Sequence, residues 1–115
     1  MSSSILLEFA MFPTDKGDSV SNYVSRIIEM IDKSGCEYQL TPMGTIIETT
    51  SIKEALNIVE EAYNLLEPDC ERVYSSLKFD IRKNKNNRLK GKIESIEKKL
   101  GHEVKKWKRD SSQSC

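Results

Sequence analysis

The sequence predicts an α+β fold, in which secondary-structure elements follow the order β-α-β-β-α-β and one more helix comes last. Three observations lead to this prediction. Two long segments carry apolar residues at helical spacing, four shorter segments are β-prone, and turn or capping residues separate them. The chain has 115 residues, which is the size of one domain.

The first strand is predicted over residues 4–12, SILLEFAMF, which are apolar on both sides of a strand. One side carries Ile5, Leu7, Phe9 and Met11, and the other carries Leu6, Glu8, Ala10 and Phe12. A strand that is apolar on both sides is normally covered on both. The remaining strands are predicted as CEYQL, TIIETT after the turn TPMG, and the alternating segment RVYSSLKFDIR.

The first helix is predicted from an amphipathic stripe, with Asp18 or Ser19 as its cap and Gly35 as its stop. The second helix begins at the capping box Ser51–Glu54 and cannot continue past Pro68. The third helix follows the loop KNKNNR and ends or bends at Gly101. The apolar stripe of the first helix consists of Val20, Tyr23, Val24, Ile27, Ile28 and Ile31. That of the second consists of Ile52, Ala55, Leu56, Val59, Ala62, Tyr63 and Leu66. That of the third consists of Ile93, Ile96 and Leu100.

This order of elements is the split βαβ, or ferredoxin-like, arrangement. Right-handed crossovers place two helices on one face of a four-stranded antiparallel sheet whose first and third strands are central. The other face is then open and partly apolar, and such a face is rarely left in water. Either the third helix folds under the sheet or two sheets pack together in an oligomer. The narrow, basic third helix favours the oligomer.

Composition excludes several classes of function. The sequence has 18 Lys plus Arg residues and 18 Asp plus Glu residues, so its formal net charge is zero. A zero net charge predicts neither a nucleic-acid partner nor a membrane partner. A polyanion site in the basic segment Lys83–Arg109 is the least favoured alternative. We expect a cytoplasmic protein without a signal peptide, because three cysteines at wide spacing suit reduced thiols. With His102 as the single histidine, we expect no catalytic residue, metal or cofactor.

Two carboxylates, Glu8 and Glu48, fall in the middle of predicted neighbouring strands. A buried carboxylate needs a donor or a cation. One interpretation is an ion pair with Arg72, Arg82 or Lys78 on a neighbouring strand or subunit. The other is a ligand whose amine or amidine-like nitrogens donate to the carboxylate, and the residues alone leave both open.

Three segments, MFPTDKGDSVSNYVSRIIEMIDKSG, YQLTPMGTIIE and RVYSSLKFDIR, together resemble the small thiamine-binding family, similar to the YkoF-like proteins. The resemblance runs from about Ile5 to Leu100 and is densest at Pro42-Met-Gly-Thr-x-x-Glu48. It implies a ferredoxin-like domain over residues 1–101, followed by a flexible basic tail over residues 102–115. It also implies dimers with sheets packed face to face, often tetramers, and thiamine or its hydroxymethylpyrimidine part held at a subunit interface.

Carried over by position, the resemblance implies that one segment lines the ligand pocket: Met43, Gly44, Thr45 and Glu48. Ser21 and Tyr38 are weaker additions inferred from neighbouring positions. Two departures stand out. Thr49 replaces a glycine that is frequent in the family and is expected to narrow the pocket, and a basic loop follows the last strand.

The sequence therefore leads to two principal hypotheses. The first is a non-enzymatic cytosolic binding protein for thiamine or a related hydroxymethylpyrimidine, working as a homo-oligomer. The alternative is a structural or regulatory interaction module without a small ligand, in which Glu48 serves an interface salt bridge.

Overall fold

The computed structural model describes residues 3–105, and these form four strands and three α-helices in the predicted order. The strands are β1 Ser3–Pro13, β2 Glu37–Thr41, β3 Gly44–Thr49 and β4 Val73–Lys83. The helices are α1 Val20–Lys33, α2 Ile52–Leu66 and α3 Arg88–Leu100, and a short 3₁₀ turn, Gly17–Ser19, leads into α1. Residues 106–115 of the predicted tail lie outside the described residues.

The four strands form one antiparallel sheet in the order β2-β3-β1-β4, which confirms the ferredoxin-like prediction. In the centre of the sheet, Leu7 lies opposite Ile47 of β3 and Phe79 of β4. Side chains of directly opposite residues share a face, so this register assigns every strand residue to a face. The odd-numbered residues of β1 face α1 and α2, and the even-numbered residues face away from them.

The core lies between the sheet and the two helices. It consists of the buried residues Ile5, Leu7, Phe9, Met11, Ile27, Ile31, Ile47, Ala55, Ile58, Ala62 and Leu66. These come from the alternating positions of β1 and β3 and from the apolar stripes of α1 and α2. Burial at this density is the main source of stability for a domain of this size.

The helix ends agree in part with their predicted signals. The Ser51 hydroxyl accepts a hydrogen bond from the Glu54 amide at 3.1 Å, so the first half of the capping box is confirmed. Gly35 and Gly101, after α1 and α3, both adopt positive φ. The predicted cap of α1 is wrong in one respect: Ser19 holds the N-cap position, but its side chain makes no capping hydrogen bond.

The third helix lies against the face of the sheet opposite α1 and α2, where it contacts β1, β2 and β3. We name this face the open face. Folding of the third helix onto it was the less favoured of the two sequence-based alternatives, and the structure shows this arrangement; packing of two sheets in an oligomer stays a prediction. The cause is a set of polar contacts at the start of α3, described below, which a search for apolar stripes does not detect. Part of the open face stays uncovered around Phe12, which is 36% exposed, and Tyr74, which is 57% exposed.

None of the helices within residues 3–105 is both long and apolar enough to cross a membrane.

Candidate functional site

Thr45 and Glu48 lie on opposite faces of the sheet. Thr45 pairs with Phe9 and faces the helix layer, whereas Glu48 pairs with Leu6 and lies on the open face. They are three positions apart on one strand, and successive strand residues point in opposite directions. The structure therefore does not bring together the two side chains that the resemblance placed in one pocket.

The turn between β2 and β3 forms one end of a cleft under α1. The cleft has a volume of about 210 Å³ and opens to solvent. Three predicted site residues, Met43, Gly44 and Thr45, line it together with strand and helix residues Phe9, Ala10, Met11, Phe12, Val24, Ile27, Ile28, Leu40, Thr41 and Pro42. We name it the α1 cleft. No charged side chain is among these thirteen residues, so the walls are mainly apolar.

The turn that shapes the α1 cleft is held by its own side chains. The Thr41 hydroxyl donates to the Gly44 carbonyl at 2.7 Å and accepts from the Met43 amide at 3.2 Å. Gly44 has a φ of 153°, and a Cβ at this position would lie 3.0 Å from the Phe9 carbonyl oxygen. The turn therefore approaches β1 more closely than a residue with a side chain would allow.

The polar chemistry of the cleft is concentrated in Thr45. This residue is 4% exposed, and among residues 3–105 no hydrogen-bond partner is found for its hydroxyl. Yet within the same residues no fully buried side-chain oxygen or nitrogen lacks a partner. The hydroxyl therefore retains access to the cleft, where it can donate one hydrogen bond and accept others. Thr41 is the other polar side chain in the lining, and its hydroxyl is already engaged in the turn.

The remaining predicted pocket residues lie elsewhere. The Tyr38 hydroxyl donates to the Asp32 carboxylate at 2.8 Å, and this hydrogen bond raises the pKa of Tyr38. Ser21 is exposed on the first turns of α1 and is not part of the cleft lining. Thr49, which was expected to narrow the pocket, is also absent from the lining, and its hydroxyl donates to the Ser51 carbonyl at 2.9 Å.

On the open face, the Glu48 carboxylate caps the start of α3. It accepts hydrogen bonds from the Arg88 amide at 3.0 Å, from the Leu89 amide at 3.1 Å and from the Ser4 hydroxyl at 2.7 Å. The first amides of a helix have no partner within the helix, and a negative charge is favoured there. Asn87, at the N-cap position, makes no side-chain capping bond, so Glu48 from β3 supplies what the local sequence does not.

The pKa of Glu48 reflects this arrangement. Burial raises the pKa, because desolvation disfavours the charged form. The two backbone hydrogen bonds, the Ser4 hydroxyl and the nearby Arg88 guanidinium together outweigh burial and lower the pKa below the usual glutamate range. Glu48 is therefore a carboxylate held in its ionised form, without the raised pKa that general acid catalysis at neutral pH requires.

Arg88 fastens the same helix end to two strands. Its side chain is 12% exposed, and its Nη2 lies 2.6 Å from Oδ2 of Asp80 on β4. Its Nη1 donates to the backbone carbonyls of Ser4 on β1 and Asp80, each at 3.2 Å. Sequence reasoning did not identify Ser4 or Arg88. One signal was available: the first turn of α3 contains no acidic residue, so its amides need an acid from elsewhere.

An ion pair was one interpretation of each mid-strand carboxylate, and the structure confirms it for Glu8 but not for Glu48. Glu8 lies 3.5 Å from the Lys78 ammonium on the neighbouring strand. Glu48 contacts none of the three predicted cations, Arg72, Arg82 and Lys78; its partners are Ser4 and the start of α3. The sequence could not reveal this, because Glu48 and Leu89 are 41 residues apart.

Neither a metal-binding cluster nor an ionised thiol is found within residues 3–105. They contain no cluster of three or more histidine, cysteine, aspartate or glutamate side chains suited to a metal ion. Burial raises the pKa values of the Cys36 and Cys70 thiols, which keeps both protonated at neutral pH. The α1 cleft combines apolar walls with an accessible hydroxyl, which suits a small molecule.

Known proteins include relatives of this chain in both sequence and structure. The thiamine-binding protein family matches residues 7–97. A UPF0045 protein of Methanocaldococcus jannaschii is 37% identical over 92 residues, which span 80% of this chain and 91% of the relative. A solved structure of a hypothetical protein from the same organism is 36% identical and superposes with a TM-score of 0.71 over 81% of this chain and 95% of that one.

A third comparison shows the fold alone. The crystal structure of a proposed thiamine biosynthesis or salvage protein from Thermotoga maritima has a TM-score of 0.66 at 22% identity, over 81% of this chain and 98% of that one. The match of the family to most of the chain, together with the M. jannaschii relative, is sufficient to assign the family. This chain belongs to the thiamine-binding protein family.

Proposed function

We propose that this protein is a non-enzymatic cytosolic binding protein for a hydroxymethylpyrimidine, either free or as part of thiamine. The observation that carries the proposal is the α1 cleft, an apolar space that contains one accessible hydroxyl, Thr45, and ends at a glycine turn. Small-molecule sites are typically apolar concavities with a few well-placed polar groups. The membership of the chain in a thiamine-binding family supports the ligand class.

The charge of the cleft favours the pyrimidine part over the thiazolium part of thiamine. An aminopyrimidine is flat and neutral, with N–H donors and ring nitrogen acceptors that a threonine hydroxyl can satisfy. The thiazolium ring carries a positive charge, and burying that charge without a partner is costly. Because no charged residue lines the cleft, we expect the pyrimidine to enter and the thiazolium of bound thiamine to remain in solvent.

The size of the cleft supports the same choice. Pockets for drug-sized ligands are typically about 300–1,000 Å³, whereas the α1 cleft is about 210 Å³. A single substituted ring suits this volume better than a complete two-ring vitamin. The exposed Met43 side chain, at 86%, lies at the mouth of the cleft and can fold over a bound ring.

The position of the cleft is compatible with a ligand held near a subunit interface. Phe12 lines the cleft and also lies on the uncovered part of the open face, beside Tyr74, with ring centroids 5.5 Å apart. We infer that two open faces pack together here in a homo-oligomer. Ligand and interface would then share one aromatic residue.

The proposal is tested by calorimetric titration with hydroxymethylpyrimidine and with thiamine. The informative variant is Thr45→Val, which keeps the side-chain shape and removes the hydroxyl. One hydrogen bond contributes about 0.5–1.5 kcal/mol, so we expect the affinity for hydroxymethylpyrimidine to fall about 2–12-fold.

The matched control is Thr49→Val, the same change on the same strand and the same face. Thr49 is 3% exposed and lies outside the cleft, so this variant should bind like the unmodified protein. Absence of heat with both ligands up to millimolar concentration would refute the proposal. Equal losses in the two variants would mean that the Thr45 hydroxyl is not a ligand contact.

A second candidate function is an interaction module without a small ligand. It is favoured by Glu48, whose three hydrogen bonds within the chain give this carboxylate a structural task. The same titrations separate the two functions, because an interaction module gives no heat with either ligand. Its oligomer would still depend on the open face.

A further inference from the structure

Met43 is the most exposed large apolar side chain within residues 3–105. It is 86% exposed, and the next in order, Tyr74 and Leu40, are 57% and 56% exposed. It lies in the turn between β2 and β3, a position where glycine, proline, asparagine, aspartate and serine dominate. A role in packing therefore does not account for a methionine here.

The backbone of this turn is fixed, while the Met43 side chain extends into solvent. The Met43 amide donates to the Thr41 hydroxyl at 3.2 Å, and this hydroxyl donates to the Gly44 carbonyl at 2.7 Å. Methionine is unbranched, with three rotatable bonds and a polarizable sulfur that favours contacts with aromatic rings. The thioether is therefore open to water and to dissolved oxidants, yet it stays within reach of the α1 cleft.

We propose that Met43 is a site of reversible oxidation that controls ligand binding in the α1 cleft. This proposal rests on the proposed function, because it takes the Met43 side chain as the cover of a bound ring. The oxidant is a hydroperoxide. A lone pair of the thioether sulfur attacks the outer peroxide oxygen, so that an S–O bond forms and the O–O bond breaks. The sulfur is oxidised by two electrons to the sulfoxide, and the peroxide leaves as water or an alcohol after it takes up the proton of the transferred oxygen.

Oxidation changes what this side chain can cover. A sulfoxide is polar, whereas the thioether is apolar, so the modified side chain is better solvated in water than against a ring in an apolar cleft. The contact between sulfur and ring is then lost, and the mouth of the cleft stays open. The change is reversible, because methionine sulfoxide reductases return the sulfoxide to the thioether. Two thiols are oxidised to a disulfide in that step, and the oxygen leaves as water.

Burial protects the other sulfur atoms that the structure describes. Met11 lines the same cleft but is only 8% exposed, and Met30 is half-buried against the core. Cysteines react as thiolates, and burial raises the pKa values of the Cys36 and Cys70 thiols. Met43 is therefore the first of these sulfur atoms to react with a hydroperoxide.

Mass spectrometry of the folded protein treated with hydrogen peroxide tests this selectivity without any ligand. Trypsin places Met11, Met30 and Met43 on three separate peptides, and fragment spectra show which residue carries the added oxygen. We expect Met43 to be converted first, Met30 more slowly and Met11 last. In the urea-unfolded protein the three rates should become similar, because exposure then no longer differs.

Calorimetric titration with hydroxymethylpyrimidine, after the peroxide has been removed, tests the effect on binding. Loss of a contact between sulfur and an aromatic ring should lower the affinity about 2–12-fold, and repair with methionine sulfoxide reductases should restore it. Met30→Leu is the matched control and should lose as much affinity on oxidation as the unmodified protein. Met43→Leu cannot form a sulfoxide, so its affinity, whatever its own value, should be the same before and after peroxide.

The results separate failure of this proposal from failure of the proposed function. If neither hydroxymethylpyrimidine nor thiamine binds the untreated protein, the proposed function fails, and the control of binding by Met43 fails with it. If the ligand binds but Met43 reacts no faster than Met11, another contact covers Met43 and only this proposal is overturned. It is also overturned if oxidised and untreated proteins bind equally well, or if Met43→Leu loses as much affinity on oxidation as the unmodified protein.

Discussion

At the scale of single residues, Gly44 determines the shape of the α1 cleft. A methyl group here would meet the Phe9 carbonyl at 3.0 Å, in a backbone conformation that side chains rarely adopt. We expect Gly44→Ala to lower the free energy of unfolding by about 2–4 kcal/mol, because close backbone contact and conformational strain add together. Urea unfolding measures this change.

The matched control for this prediction is Gly35→Ala. Gly35 also has a positive φ, of 83°, but no atom lies within 4 Å of the added methyl group. Gly35→Ala should therefore lower the free energy of unfolding only by the conformational cost of a side chain at positive φ, about 1–2 kcal/mol. Equal destabilisation in both variants would show that the turn can move away from β1.

Glu48 is the residue whose ionisation holds α3. Its pKa is lowered in the folded protein, so its stabilising contribution is fully present above the pKa of the unfolded chain. The contribution is lost as the pH falls through the lower, folded pKa. We expect the amide NMR signals of Arg88 and Leu89, which donate to this carboxylate, to shift together over a pH range below the usual glutamate range.

The variant Glu48→Gln should abolish this titration and weaken the attachment of α3, because it removes the charge while keeping the shape. Glu8→Gln is the control, since Glu8 lies on the same face and pairs with the exposed Lys78. If the two amide signals still titrate in the Glu48→Gln variant, another acid controls the start of α3.

At the scale of elements, α3 has a weak position at Gly91. This glycine lies inside the helix without a positive φ, and a methyl group there would meet no atom within 4 Å. Glycine is about 0.8–1 kcal/mol less favourable than alanine in a helix interior. We expect Gly91→Ala to stabilise α3 by about this amount, measured as slower hydrogen exchange of the α3 amides, with no change in α2.

The same helix shows where sequence-based prediction succeeds and where it stops. The bounds of α1 and α2 and the face of each β1 residue follow from periodicity, because local spacing decides which side chains can be buried together. The docking of α3 depends on contacts between Glu48, Ser4 and Arg88, which are distant in sequence and leave no periodic signal. One feature of the site could have been predicted from the sequence. Thr45 and Glu48 lie on opposite faces of the sheet, because an odd-numbered and an even-numbered residue of one strand point in opposite directions.

The sequence did not predict the α1 cleft, although three of the six residues that the resemblance assigned to a ligand pocket line it. Met43, Gly44 and Thr45 line this cleft, whereas Glu48, Tyr38 and Ser21 do not; that any of them contacts a ligand stays a prediction. The remaining walls come from β1 and α1, and a single sequence does not reveal how closely those two elements approach a turn. That spacing is a property of packing, which depends on side chains from several elements at once.

At the scale of the whole molecule, two exposed apolar surfaces lie on different parts of the sheet. The first is the uncovered part of the open face, around Phe12 and Tyr74, and the second is the edge of β4, around Leu77 and Ile81. A surface that pairs with itself about a two-fold axis generates a dimer, and two such surfaces generate a dimer of dimers. The open-face contact of the proposed function therefore generates a dimer in which the β4 edge stays at the surface.

Light scattering on two variants tests this assembly. Ile46→Lys places a charge on the open face, away from β4, and Leu77→Lys with Ile81→Lys places charges along the β4 edge. Leu77 and Ile81 are exposed and Ile46 is half-buried, so thermal unfolding is measured on each variant to establish that it is folded. Ile46→Lys should give a monomer, because it disrupts the open-face contact, whereas the β4 changes alone should leave a particle of twice the subunit mass. A dimer after Ile46→Lys would exclude the open face from the assembly, and a monomer after the β4 changes would show that the β4 edge forms the contact.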